Sequence, residues 1–400
     1  MKQPFVLTSQ NVFEYLVRQA LCTDKEVAPT QIEQKFAKNF NLLVTCQDGR
    51  RLLVKQERCN LEGKTTSELK NEWLLHEFFQ NFPKLNSIRL LISEIVQFDA
   101  ERAIAVFNYL NNYSDLANFY VQENVFNPEL LQPIQSKIAP SIGATLAIVH
   151  KATWNSQEYR DFFCQNRENL PIDKACASIR GLERIEPEIF GLVPADSLKF
   201  FALYQRYDSL GKAIAELISA MIPCCLTHND LKLNNILLHK DWEQIFSSSE
   251  PSNNSIIRLI DWERCGWGNP AFDLGMLIAN YLQIWLNSLV ISPAIELETS
   301  LANALIPLAQ LQPSLAAIAG AYFDNFPEIV EKSPDFLKRV VQCSGLALIQ
   351  YILAALQYKK TFGNTGICML QIAKSLLCRP ERSISIVFGN DSKISSILAF

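Results

Sequence analysis

One short run constrains this chain more than any other: His228-Asn229-Asp230-Leu231-Lys232-Leu233-Asn234-Asn235, continuing into the apolar Ile236-Leu237-Leu238. By composition alone the fixed letters of H-x-D-x-x-x-x-N would turn up in a chain this long on the order of one time in a hundred. A second run, Leu259-Ile260-Asp261-Trp262-Glu263, is an apolar strand ending in an acid 31 residues beyond Asp230. Asn235 to His239 and Ser255 to Ile260 read as paired strands, separated by the Ser/Asn/Pro-rich insertion of residues 240–254, which reads as exposed and without a catalytic role. Such a hairpin sets the strand-end Asp261 beside the loop bearing Asp230 and Asn235.

The first hundred residues read as strand, strand, helix, strand, strand. Asn41 to Cys46 and Arg51 to Gln56 are β-like runs joined at Asp48-Gly49, a hairpin turn signal. Between Ser67 and Phe82, Leu69, Trp73, Leu74, Phe78 and Phe79 recur at helical spacing, and Pro83 ends the run. Ser93 to Phe98 and Ala103 to Phe107 form the second strand pair. Lys55 sits on a strand and Glu72 on the following helix, with Glu68 as the other candidate one turn earlier. Taken singly, Lys55 is also a surface lysine and Glu72 a solvated helix residue. Taken with Asp230, Asn235 and Asp261 in this order, they make the set that phosphoryl transfer needs. One carboxylate orients and deprotonates an alcohol, an Asn and a second Asp hold Mg²⁺, and a strand lysine paired to a helix glutamate grips phosphates.

After Asn108 the texture changes to long helical patterns, including Pro133 to His150, Ser197 to Met221, Pro270 to Leu286 and Phe336 to Gln357. The expected domains are therefore residues 1–107, mostly strands, and residues 108–400, mostly helices. Leu274 to Ile295, Thr299 to Phe323 and Val340 to Tyr358 carry no charge but do carry Asn280, Gln283, Gln310, Gln342 and Gln350, so they are expected to be buried helices and not membrane spans. With 37 Lys plus Arg against 41 Asp plus Glu, no positive field recruits nucleic acid. The 11 cysteines show no C-x-x-C spacing and are expected to be reduced, buried thiols, which points to the cytoplasm. The start, MKQPFVLTSQ, lacks the apolar core of a secretory signal, and no export is expected.

These motifs resemble those of the aminoglycoside phosphotransferase and choline kinase superfamily over roughly residues 30 to 290. The resemblance implies an α+β fold of the protein-kinase type, with a small antiparallel sheet lobe and a large helical lobe, and it implies ATP and Mg²⁺. HNDLKLNN is similar to the catalytic loop, with Asp230 as the base, His228 as an organiser and Asn235 as a metal ligand, while Asp261 in LIDWE is similar to the second ligand. Residues 266–275 are similar to a G-D-P-x-x-D-L pattern whose last acid, here Asp273, supports that loop, and IGATLAIVH, ending at His150, resembles the helix beneath it. The adenine is expected on the connector Asn108, Tyr109 and Leu110.

Two departures stand out. The loop over the phosphates, Lys35-Phe36-Ala37-Lys38-Asn39-Phe40, has no glycine. Lys35, Lys38 and Asn39 either replace backbone contacts to phosphate there or are exposed hairpin residues. Lys232, two residues after the base, resembles the lysine with which protein kinases contact the transferred phosphate. The acceptor is therefore either a small amino-alcohol or sugar-like metabolite, or a Ser/Thr of a precursor peptide, as in the branch that works with a phosphate-eliminating lyase. A pseudokinase acting as a binding scaffold is the alternative of another class.

Overall fold

The computed structural model describes residues 5–23, 32–35, 38–59, 65–122, 128–166, 194–247, 255–291 and 296–397. Phe36, Ala37, Cys176 and residues 248–254 of the insertion lie outside them. Two compact units form: Met1–Asp115 with Asn235–Cys265, and Leu116–Asn234 with Gly266–Phe400.

The first unit is built on a five-stranded antiparallel sheet, β1 (Ile32–Lys35), β2 (Phe40–Thr45), β3 (Arg51–Gln56), β4 (Ile95–Asp99) and β5 (Ile104–Asn108), in the order β1-β2-β3-β5-β4. The alternation of β3 sends Leu52 and Val54 to one face, where they pack with Val12, Leu16, Leu42 and Val106 beneath the helix Val12–Arg18. Leu53 faces the other way, against Leu69, Trp73, Ile95 and Phe107, under the helix Glu68–Asn81. Covering both faces is why the central strands read as nearly unbroken apolar runs. A second sheet joins β6 (Tyr113–Asp115), β8 (Ile236–His239) and β9 (Ile257–Leu259). The expected hairpin is present, with Leu237 opposite Arg258. Part of the insertion before residue 248 is helical, Trp242–Ser247, with Trp242 buried.

Strand β1 was not legible as an element, whereas the segment after MKQPFVLTSQ, which reads as helical, forms the helix Val12–Arg18. β1 is an exposed edge whose Glu33 and Lys35 pair with each other at 2.8 Å, so it lacks the apolar alternation that marks a half-buried strand.

The second unit is helical, apart from the short pair β7 (Cys225–Thr227) and β10 (Gly266–Gly268). The segment expected as one helix over 197–221 is two, Ala195–Gln205 and Asp208–Ala220; the break falls at Tyr207, before Asp208 and Ser209, residues that favour helix starts over helix interiors. The helix ending at Thr153 is preceded by a π-helical stretch, Ile134–Ile138, because Pro140 has no N–H to bond the preceding turn.

The uncharged stretches fall mostly in the helices Pro270–Asn287, Leu308–Asn325 and Phe336–Lys359, and the second of them begins in the separate helix Leu297–Ala302. Phe336–Lys359 is long and apolar enough to cross a membrane by length and composition, and its Val340, Cys343 and Leu346 are buried. Seven cysteines are buried, and no disulfide forms among the described residues, but Cys59 and Cys164 are exposed, contrary to the expectation of burial throughout.

Glycines set the closest helix contacts. A Cβ at Gly143 would lie 2.0 Å from the backbone oxygen of Ile318, and one at Gly275 would lie 2.5 Å from Cβ of Cys343. Gly143→Ala should therefore destabilise the chain by about 1–3 kcal/mol, because backbone must move. Gly320→Ala would meet only the flexible Lys393 stem at 3.2 Å and should be neutral or stabilise by about 0.5–1 kcal/mol, since helical glycine is entropically costly. Denaturant midpoints of the two variants test the contrast.

Candidate active site

In the first unit, Lys55 lies on the face of β3 covered by the helix Glu68–Asn81. Its Nζ bonds Asp261 Oδ1 at 2.6 Å, lies 3.8 Å from Glu72 Oε2, and sits over the Phe107 ring at 4.8 Å. Burial works against its charge, but Asp261 and Glu72 outweigh it and raise its pKa above the ordinary lysine value. Glu68, one turn earlier on the same helix, is the less buried of the two and pairs with Lys38, which leaves Glu72 beside Lys55.

The helix is fixed to the strand by Glu57, at the end of β3, whose carboxylate accepts the N–H groups of Ser67 at 2.9 Å and Leu69 at 2.5 Å. Glu72 Oε1 accepts from Ser93 Oγ at 2.9 Å and from the Trp262 N–H at 3.3 Å, so one carboxylate ties the helix to the segment after Asp261. Burial first, then the charge of Asp261, raises the pKa of Glu72 against the pull of Lys55.

Asp261 follows β9 with φ +65°, in the left-handed region. The N–H of the preceding Ile260 bonds the Asn235 carbonyl at 2.9 Å, which holds the two expected metal ligands next to each other in the fold. An Asp carboxylate and an Asn amide oxygen are hard donors of the kind Mg²⁺ takes, and Mg²⁺ characteristically completes its shell with water and phosphate, so these residues fit the ion. Among the described residues no cluster of three or more His, Cys, Asp or Glu offers an all-protein metal cage.

Glu263, two residues on, is buried, and its carboxyl is pushed up to about 8 by burial, then by Asp261 and Glu68. It accepts from Asn39 Nδ2 at 3.5 Å, and its carbonyl from Asn71 Nδ2 at 3.3 Å. Lys38 and Asn39 are thus engaged with Glu68 and Glu263, and Lys35 with Glu33. On the connector expected to read adenine, the N–H groups of Asn108 and Tyr109 are committed to Glu94 and Arg51 carbonyls at 3.0 and 2.9 Å, and the Leu110 carbonyl accepts from Tyr113.

In the second unit, Asp230 Oδ2 lies 2.9 Å from Lys232 Nζ. The loop carrying them is held at both ends by the helix Pro270–Asn287. Asp273, fully buried, accepts the N–H groups of His228 and Asn229 at 2.7 and 2.8 Å. Seven residues on, the same helix face brings Asn280, whose Oδ1 accepts from the Leu233 N–H at 3.4 Å. His228 is fully buried, and its Nδ1 accepts from the Asp230 N–H at 3.3 Å, which braces the loop from within. Asn229 has φ +61°, a conformation Asn tolerates better than most residues.

Glu57, Ser93, Glu263 and Asn280 were missed as site residues. Glu263 stood within LIDWE, and Asn280 was visible as a polar residue in an uncharged helix.

Residues 121–295 match the phosphotransferase enzyme family (APH), a segment that contains Asp230, Asn235, Asp261 and Asp273. None of the curated proteins matches the chain in sequence. Among solved structures the chain is similar to choline kinase LicA from Streptococcus pneumoniae, at 17% identity and a TM-score of 0.47, covering 92% of this chain and 98% of that one. It is similar to a choline kinase from Cryptosporidium parvum Iowa II at 14% identity and a TM-score of 0.49, covering 98% and 100%. It is also similar to the macrolide 2′-phosphotransferase MphH from Brachybacterium faecium at 11% identity and a TM-score of 0.42, covering 93% and 99%. The run around Asp230 and the acid Asp261 thus fall within a segment similar to the phosphotransferase enzyme family.

Proposed function

We propose that the chain transfers the γ-phosphoryl group of ATP, with Mg²⁺, to the hydroxyl of a small molecule. The observation that carries this reading is the pinning of the Asp230 loop by Asp273, which presents a carboxylate on a fixed backbone with a lysine 2.9 Å away. Asp230 accepts the hydrogen bond of the alcohol and takes its proton as the new O–P bond forms and the bond to the ADP oxygen breaks. Lys232 supplies positive charge for the phosphoryl oxygens in flight.

Lys55, kept charged by Asp261 and Glu72, is the counter-charge for the α and β phosphates. Asp261 and Asn235 would hold Mg²⁺, which when bound neutralises the β and γ oxygens. The committed N–H groups of Asn108 and Tyr109 leave the Leu110 N–H and neighbouring carbonyls as the connector's groups for the base.

The test is to incubate the purified chain with Mg²⁺ and ATP and pools of amino alcohols, sugars and Ser/Thr peptides, reading each pool by mass spectrometry. A phosphate-sized increment is expected in a small-molecule pool. An increment confined to the peptides would move the acceptor to a Ser or Thr side chain. Absence of both an increment and any ADP formation would overturn the reading.

A further inference from the structure

Behind the loop that presents Asp230, a buried polar chain crosses three helices and ends on a group the mechanism above does not use. Asp273 Oδ2, besides accepting from the His228 N–H, meets Nε2 of His150 at 3.2 Å, and Nδ1 of His150 meets the Tyr322 hydroxyl at 2.9 Å. All three side chains are fully buried. A carboxylate only accepts, so Nε2 carries the hydrogen; in that tautomer Nδ1 is an acceptor, and the Tyr322 O–H donates to it. Burial, with Cys225, Cys224 and Asp273 nearby, holds the Tyr322 hydroxyl well above the ordinary phenol range, so it stays a donor.

Backbone contacts set the spacing. Gly143 admits the helix Leu308–Asn325 at Ile318, one turn before Tyr322, and Gly275 admits the helix Phe336–Lys359 two residues after Asp273.

We propose that Tyr322 is a positioning residue for phosphoryl transfer: through His150 it fixes the carboxylate of Asp273, and with it the backbone from which Asp230 is presented. This rests on the reading of Asp230 as the base. Without the Tyr322 hydroxyl, Nδ1 is either left unpaired or draws the ring hydrogen from Nε2. In the second case Asp273 faces a lone pair and must turn from its loop N–H groups. Asn229, held by Asp273 in a left-handed conformation, is the residue before Asp230, so a small rotation there displaces the base.

Tyr322→Phe tests this, since it keeps the ring and its stacking on Phe336, at 5.7 Å and 13°, and removes only the hydroxyl. Turnover, read as ADP formed from Mg²⁺ and ATP with water as acceptor, should fall about tenfold while KM for the nucleotide stays within about twofold. The ring-nitrogen NMR signals of His150, one of four histidines, should leave the Nε2–H pattern. Adding Tyr322→Phe to His150→Asn should cost nothing further, because the path is already cut.

Unchanged kcat with unchanged His150 signals would overturn the proposal, as would losses that multiply in the double variant. Should His150→Asn not fold, the kcat and nitrogen signals of Tyr322→Phe alone decide. Asp230→Asn separates the levels: full turnover in it would remove the base assignment and this proposal together, whereas a dead Asp230→Asn beside a wild-type Tyr322→Phe would remove only the positioning role.

Discussion

Asp230→Asn should lower turnover by about 10²–10⁴-fold, the usual contribution of a positioned general base, with nucleotide affinity essentially unchanged. The substitution keeps the size of the side chain and removes its capacity to take a proton. The loop backbone keeps its bonds to Asp273 and Asn280. Lys232 loses its partner at 2.9 Å, but its side chain is 43% exposed and water can take over. Nucleotide titration followed by calorimetry, beside steady-state ADP formation, separates the two expectations. Wild-type turnover would remove Asp230 as the base; lost nucleotide affinity would mean that it acts in binding and not in the chemical step.

The residues that were legible share one property: their signal is local. Asp230, Lys232 and Asn235 lie within one loop, and the acid after β9 ends an apolar run, so a short window holds the evidence. Glu72 and Glu68 were both legible as partners for Lys55, and it is Glu72 that lies 3.8 Å from its Nζ. Partners that act over distance were not legible. Lys38 and Asn39 sit in a hairpin suited to phosphate, yet they contact Glu68 and Glu263, and the second partner is 224 residues away. Tyr322 and His150 are 172 residues apart, and Asn280 and Leu233 are 47 apart. No spacing rule joins such pairs. The polar residues that argued against lipid in the uncharged stretches had a physical reason to be there. In Asn280, at least, that reason is the backbone of the loop that carries Asp230. The break at Tyr207 and the edge strand β1 failed for local reasons: Asp208 and Ser209 favour a helix start over a helix interior, and an exposed edge lacks the apolar alternation of a half-buried strand.

Asp261→Asn should abolish the dependence of turnover on Mg²⁺ and lower kcat/KM by about three orders of magnitude, the scale of several kcal/mol of charge stabilisation. Asn is the informative substitution because residue 261 has φ +65°, which Asn accepts and Ala resists at a cost of about 1 kcal/mol. Electrostatically the change reaches three neighbours at once. Asp261 raises the pKa of Lys55 by attraction and those of Glu72 and Glu263 by repulsion, so removing its charge lowers all three. Lys55 keeps Glu72 at 3.8 Å, and the two glutamates lose a repulsive neighbour, so folding stability should change little. The reading besides turnover is nucleotide affinity with and without Mg²⁺: in the wild type the ion should tighten ATP binding, and in Asp261→Asn it should not. An unchanged response to Mg²⁺ would show that Asp261 serves only as the counter-ion of Lys55, and the metal would then have to be held without it.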